Sequence, residues 1–288
     1  EGSSGYRGQI DNIVAIGGLG GSGTRVVAEI LEKRGLYLGP RLNQQHDNLL
    51  FTLLFKRSDW FLKFPTKSEV AQTIDTFLSA TKYGVSAALR EMPPEEVSYL
   101  FDNAQLIAGP KNRFDLLRDS TPPNLNHYSG LGWKEPNTHI FLTPLAESIP
   151  NLKYIHVIRN GLDIALSKNR QQLKNWGAHY GFASDTDIQS PQNQLRFWIA
   201  ANQTVINQGQ ALGPKRFYLL NYDNLCQNFR TELEPLQDFL GWRLNQNDIA
   251  ELEATIDSSF LGKYRNAPAD TFSADEYKSV ERFGFRFD

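Results

Sequence analysis

IVAIGGLGGSGTR, residues 13–25, is the stretch whose reading decides the fold. Ile13, Val14, Ala15 and Ile16 form a short apolar run of the kind a buried parallel strand needs. Gly17, Gly18, Gly20, Gly21 and Gly23 follow, interrupted by Leu19 and Ser22. After Thr24 the periodicity becomes helical, with Val26, Val27, Ile30 and Leu31 on one face. Strand, glycine loop and helix together make a phosphate cradle: glycines let the backbone close on a ligand, and the loop amides and helix N-terminus face an anion. The stretch 18–23 matches the first half of a P-loop, but Thr24-Arg25 stands where Lys-Ser/Thr would be. A bland reading, a tight strand-to-helix turn without a ligand, stands beside this one. The missing lysine is the main clue to function.

The rest of the chain supplies the sheet to which this unit belongs. At 288 residues it can bury a substantial core. A net charge of −2 leaves no basic footprint for nucleic acid. The single cysteine, Cys226, excludes an intramolecular disulfide framework. No apolar run reaches the roughly 20 residues that span a bilayer, so the expected location is cytoplasmic and no membrane segment is expected. The start, EGSSGYRG, reads as a remnant of an expression tag over residues 1–8. A short strand is expected at 36–38, and helices at 43–56, 68–81 and from Pro93-Pro94 onward. Strands follow at 131–134, 152–158 and 216–220, with helices at 138–148, 160–174, 191–208, 231–240 and 247–256. The tail from 258 is aromatic and basic with weak periodicity. Alternating strands and helices argue for an α/β three-layer sandwich with a mainly parallel central sheet and a P-loop-like phosphate loop. Residues 9–288 read as one domain, with about 43–126 a helical insertion or cap. Ligands of such sheets bind at the carboxyl ends of the strands, so those ends are where chemistry is sought.

Arg159 sits where the strand of YIHVIRNGLDIALS, residues 154–167, ends. Ser167, eight residues on, is expected about two turns along the following helix. A guanidinium fork and a hydroxyl can grip one phosphate. Asn160 caps that helix and Asp163 lies in its first turn. The bland alternative is a salt-bridged surface arginine and an ordinary mid-helix serine. Lys134 ends the strand of GWKEP, residues 132–136, and points into the same crevice, unless it is a solvated surface lysine. Glu135 reads as structural, pairing with a neighbouring cation.

Taken together, the glycine loop, GWKEPNT at 132–138, LAESIPNLKYIHVIRNGLDIALS at 145–167, and RFYLLNYDNL with LEPLQDFLGW at 216–242 resemble the sulfotransferase superfamily. Those enzymes use 3′-phosphoadenosine 5′-phosphosulfate (PAPS) as donor. The nearest pattern is that of the tyrosylprotein and carbohydrate branches. The resemblance implies that Gly20, Gly21, Ser22, Gly23, Thr24 and Arg25 form the 5′-phosphosulfate loop, with Ser22, Gly23, Thr24 and Arg25 on the phosphosulfate. Arg159 and Ser167 match the pair on the donor's 3′-phosphate. Lys134 matches the lysine that neutralises charge near the transferred group. Tyr222-Asp223-Asn224-Leu225 matches the Tyr-Glu-x-Leu at a strand end, and Gly262 with Lys263, Tyr264 and Arg265 resembles the late basic loop over the nucleotide. The region 43–126 carries no motif recognised as belonging to that family.

One departure concerns Gly21, which stands where the family usually has lysine or arginine. Either Lys134 and Arg25 carry that charge, or turnover is weak or lost. The acceptor hydroxyl also needs a base within hydrogen-bond reach. In GPRLNQQHDNLLF, residues 39–51, Asp47 and His46 are the candidates, and Asp47 is preferred because Asn43, Asp47 and Leu50 would share a helix face. His127 is a third candidate. The expected catalytic set is Lys134, Asp47, His46 and Arg25, acting by positioning and electrostatics on an in-line displacement without a metal. The partners are the nucleotide donor and a hydroxyl acceptor, carbohydrate, tyrosyl or small molecule; Trp60, Phe61, Phe64, Trp176 and Tyr180 are candidates for an aromatic platform. The rivals are a P-loop nucleotide kinase-like protein, which needs the absent lysine and a strand-end aspartate, and a non-catalytic nucleotide-binding relative.

Overall fold

The computed structural model of the chain describes residues 12–108 and 112–287; the stretch 1–8, read as a tag remnant, lies outside the described residues. The strands are β1 (Ile13–Gly18), β2 (Leu36–Tyr37), β3 (Gly130–Lys134), β4 (Leu152–Ile158) and β5 (Phe217–Asn221). They form one parallel sheet in the order β2-β3-β1-β4-β5. Every residue of β1 and β3 is buried, and β4 is buried at all but Lys153. Strands covered on both faces read as continuous apolar runs rather than alternating ones, which is why 13–16 and 154–158 stand out in the sequence. Register sets Ile16 beside Lys134 and Leu36 beside Gly130.

Helices α1 (Thr24–Lys33), α2 (Leu49–Phe55), α3 (Ser58–Leu62), α4 (Lys67–Tyr83), α5 (Val85–Arg90), α6 (Pro94–Ala108), α7 (Asn112–Arg118) and α8 (Leu142–Ser148) precede β4 or lead into it. After β4 come α9 (Gly161–Ala165), α10 (Gln171–Trp176), α11 (Pro191–Leu212), α12 (Tyr222–Gln227), α13 (Phe229–Leu240), α14 (Gln246–Ala254) and α15 (Ala274–Glu281). The chain divides into two compact units, the described residues up to Gly17 with Thr24–Ile155, and Gly18–Gly23 with His156–Asp288.

In the first unit, the helices between β2 and β3 pack on β3 through aromatic rings. Phe51 of α2 stacks 6.0 Å from Trp133, Phe77 of α4 meets Trp133 edge-on at 5.1 Å, and Phe55 meets Phe141 at 5.1 Å. Such pairs contribute about 0.5–1.5 kcal/mol each beyond the area they bury. Side chains alternate along a strand, so Trp133 and Lys134 leave β3 on opposite faces. In the second unit, Trp198 of α11 lies against Gly161, where a Cβ would come 2.8 Å from the indole, and meets Phe283 at 4.7 Å.

Three expected helices change. The one expected at 43–56 starts only at Leu49, because Asn43 Oδ1 accepts from the amides of Gln45 and Asp47 and closes a turn; asparagine competes for backbone in this way. Asn43 and Asp47 therefore lie on a loop, not on a helix face with Leu50. The one expected at 160–174 is broken after Ala165 and restarts where Asn169 Oδ1 accepts from the amide of Gln171. The one expected at 138–148 begins as a 3-10 turn over Pro136–Phe141. The tail, read as weakly periodic, holds a 3-10 turn over Lys263–Asn266 and helix α15, opened by a capping box of Ser273 and Glu276.

Candidate active site

In the second unit the glycine loop is gripped from three directions. Gly21 has φ +92°, and its carbonyl accepts from Arg159 Nη1 at 3.1 Å. That φ belongs to the left-handed region, where a side chain is strained, so the loop position without a cation has a backbone reason to be glycine. Gly23 also has φ +92°, and a Cβ there would lie 2.1 Å from the ring of Tyr222, which seals the loop. Gly20 lies under the Asn169 side chain and Gly21 against Ile164, so the segment that carries Ser167 runs along the loop.

Arg159 follows β4 directly, and its backbone carbonyl accepts from Trp198 Nε1 at 3.1 Å. Besides Gly21, its guanidinium donates from Nη2 to the carbonyl of Phe260 and reaches Asp163 Oδ2 at 3.4 Å. Asp163 is wholly buried and accepts from the amides of Gly262 and Tyr264 at 2.8 and 2.9 Å. The late loop is thus pinned to α9 through a carboxylate that the sequence offered only as a helix-start charge. The i, i+4 spacing of Arg159 and Asp163 was the available signal. Ser167 is not two turns along a helix: it lies beyond the end of α9, and its Oγ is buried without a hydrogen-bond partner among the described residues. Ser22 Oγ and Arg159 Nε share that condition. Lys263 and Arg265 are exposed and lie over the rings of Phe260 and Tyr264, at 4.4 and 5.2 Å. Tyr222 begins α12, and burial raises its phenol pKa. Asp223 accepts from the amide of Asn160 at 3.0 Å, and burial holds its carboxyl above the usual range.

The first unit brings Lys134 and Asp47 together. Lys134 is 3% exposed; its Nζ donates to Asp47 Oδ1 and to the carbonyl of Gln45 at 2.8 Å. Asn43 Nδ2 holds the other carboxylate oxygen at 2.8 Å. The turn is fixed to β3 because the amide of Asn48 donates to the Lys134 carbonyl at 2.7 Å. His46, at φ +62°, faces away from this pair, with Nδ1 2.9 Å from Glu32. His127 is exposed, its ring beside Asn124 at 3.4 Å. Thr24 is buried at the start of α1, and Arg25 lies along that helix, exposed, 3.6 Å from Glu29. Glu135 is buried but not ion-paired among the described residues; it accepts from Asn137 N and Nδ2 at 2.6 and 2.9 Å. Burial pushes its carboxyl up to about 7, with Asp47 adding to the rise and Lys56 opposing it.

Of the aromatic residues considered for an acceptor platform, Trp176 is fully buried, Tyr180 packs on Phe197 at 5.3 Å, and Phe61 meets Phe141 at 5.0 Å. Phe64 is 89% exposed. Among the described residues, no group of His, Cys, Asp and Glu is arranged to hold a metal ion, and no helix is long and apolar enough to cross a membrane.

Residues 14–246 match the model of a family described as "Sulfotransferase family". Two solved structures are similar in fold. The sulfotransferase domain from the Synechococcus PCC 7002 olefin synthase is 18% identical, with a TM-score of 0.52 and all of both chains covered. The sulfotransferase domain from the curacin biosynthetic pathway is 14% identical, with a TM-score of 0.54, covering 97% of this chain and 100% of the other. No curated protein matches the chain by sequence.

Proposed function

This chain belongs to the sulfotransferase family, and we propose that it moves a sulfuryl group from PAPS to the hydroxyl of a carbohydrate, tyrosyl or small-molecule acceptor. One observation carries the donor assignment. Arg159 is bonded to the loop carbonyl of Gly21, while among the described residues its own Nε and the hydroxyls of Ser22 and Ser167 are buried without partners. Each buried polar group left unpaired costs about 1–3 kcal/mol. An anionic ligand rich in oxygens removes that cost, and its charged acceptors complement a guanidinium better than neutral carbonyls do.

In this reading the loop 20–25 takes the 5′-phosphosulfate, and Arg159 with Ser167 takes the 3′-phosphate. Tyr222 keeps the loop closed, and Lys263, Tyr264 and Arg265 belong to the late loop over the nucleotide. The acceptor oxygen bonds to sulfur as the bond from sulfur to the phosphate oxygen breaks. The proton of the acceptor goes to Asp47, whose carboxylate keeps lone pairs free beside Lys134 and Asn43. Lys134 offsets the charge that develops on the sulfuryl and leaving oxygens. The products are the sulfated acceptor and adenosine 3′,5′-bisphosphate.

A second reading, a nucleotide-binding relative without turnover, is favoured by one feature: the loop has no cation at Gly21, and Arg25 is exposed beside Glu29. Calorimetric titration without Mg²⁺ tests the donor site. Saturable binding of adenosine 3′,5′-bisphosphate is expected, and a preference for ATP with Mg²⁺ would sink the assignment. Transfer of radiolabel from PAPS to a panel of glycans and phenols separates enzyme from binding module.

A further inference from the structure

A cavity of about 430 Å³ lies among the helices of the first unit, lined by Leu54, Arg57, Trp60, Met92, Glu96 and Tyr99 with one face of α4. Its size falls in the range of small-molecule pockets. Arg57 is 4% exposed, yet no carboxylate lies within 4 Å of its guanidinium among the described residues. Its Nε is spent on the carbonyl of Leu54 at 2.7 Å, which closes the end of α2 and fixes the group. The guanidinium then lies 4.0 Å from the ring centroid of Trp60. Its two Nη groups have no hydrogen-bond partner among the described residues. A buried cation is stable only when paired, and burial lowers this guanidinium to about 10 even with Glu96 and Glu69 opposing the fall from across the cavity.

We propose that this cavity binds an amphiphilic monocarboxylate, its acid group on the Arg57 fork and its apolar body against Leu54, Trp60, Met92 and Tyr99. The free edge of a guanidinium matches a carboxylate in bidentate geometry. The rim selects against a greater charge. Glu69 and Glu96 line the cavity, and although Glu69 is drawn to Thr66, whose amide and hydroxyl both donate to it at 2.7 Å, both carboxylates repel a dianion. A planar monoanion therefore fits better than a phosphate. The site is independent of the donor assignment, since it needs neither the loop nor Lys134.

Calorimetry with decanoate, decanol and decyl phosphate on the full chain tests the proposal. Saturable decanoate binding is expected, at least tenfold tighter than decanol and than decyl phosphate. Arg57→Gln should weaken decanoate at least tenfold. Met92→Trp, which fills the cavity and keeps the cation, should do the same, and it carries the test if Arg57→Gln does not fold. Both variants should bind adenosine 3′,5′-bisphosphate as the parent does, so a failure here is separable from a failure of the donor site. Equal affinity for decanoate and decanol, tighter binding of the phosphate, or no saturable decanoate binding would overturn it.

Discussion

Arg159 and Lys134 are both strand-end cations taken out of water, and the two are neutralised differently. Arg159 in the second unit is held mainly by neutral carbonyls, those of Gly21 and Phe260, with Asp163 at 3.4 Å. Asp163 spends its stronger bonds on the amides of Gly262 and Tyr264. Lys134 in the first unit is joined to a carboxylate, Asp47, and to one carbonyl. A cation bonded to carbonyls can exchange them for a charged ligand and gain energy. A cation already paired with a carboxylate gains little from a second anion, but it keeps that carboxylate oriented. The first arrangement suits ligand capture, and the second suits a proton acceptor held in place beside a stabilising charge.

Asp47→Asn should have the largest effect. A lost general base costs about 10²–10⁴ in kcat, while the Kd for adenosine 3′,5′-bisphosphate should move less than about threefold, about 0.65 kcal/mol. An unchanged kcat would place the base elsewhere and dissolve the contrast. Lys134→Ala should lower kcat by about 10²–10³, the range found for removing one transition-state donor, again with little change in Kd. Arg159→Ala should do the reverse and weaken the bisphosphate about 100-fold in calorimetry, equivalent to about 2.7 kcal/mol. If Arg159→Ala changed kcat alone, the two cations would have to trade roles.

Two smaller effects sharpen the comparison through stability. Gly23→Ala must place a Cβ into the Tyr222 ring at φ +92°, which should cost about 1–3 kcal/mol in urea unfolding. Glu135→Gln should act in the other direction. The folded-state pKa of Glu135 is raised to about 7, so the unfolded carboxyl ionises first and the folded state loses stability as pH rises through that window. The glutamine variant escapes the loss. It should be more stable than the parent at pH 8, by at most about 3 kcal/mol, and equal to it near pH 4. Urea denaturation at both pH values checks this.

Much of the fold was legible because buried parallel strands and glycine punctuation are local signals. Residues 13–25 declared strand, loop and helix, and β4 with Arg159 at its end was equally plain. The candidate site was legible only in part. Lys134 and Asp47 stand out by residue type, but the spacing suggests a helix face for Asp47, whereas a turn closed by Asn43 brings it to Lys134. The break after Ala165 is not legible in the sequence because the side chains that restart the helix, such as Asn169, act through single hydrogen bonds and leave no periodic trace. Asp163 shows in the sequence as a first-turn charge spaced i, i+4 from Arg159, whereas its amide partners lie about a hundred residues away on the late loop. Arg57 carried no signal at all: its burial beside a cavity without a close ion pair exists only once α2, α4 and α6 are packed.

By itself, the sequence determined which backbone can take left-handed conformations at Gly21 and Gly23, which strands are buried on both faces, and which cations stand at their ends. These are properties of residue type and near-neighbour spacing. Tertiary structure alone decided which of those cations is satisfied mainly by carbonyls and which by a carboxylate. The physical reason is that charge pairing and desolvation depend on distances of a few ångströms between segments far apart in the chain, and no local pattern encodes those distances.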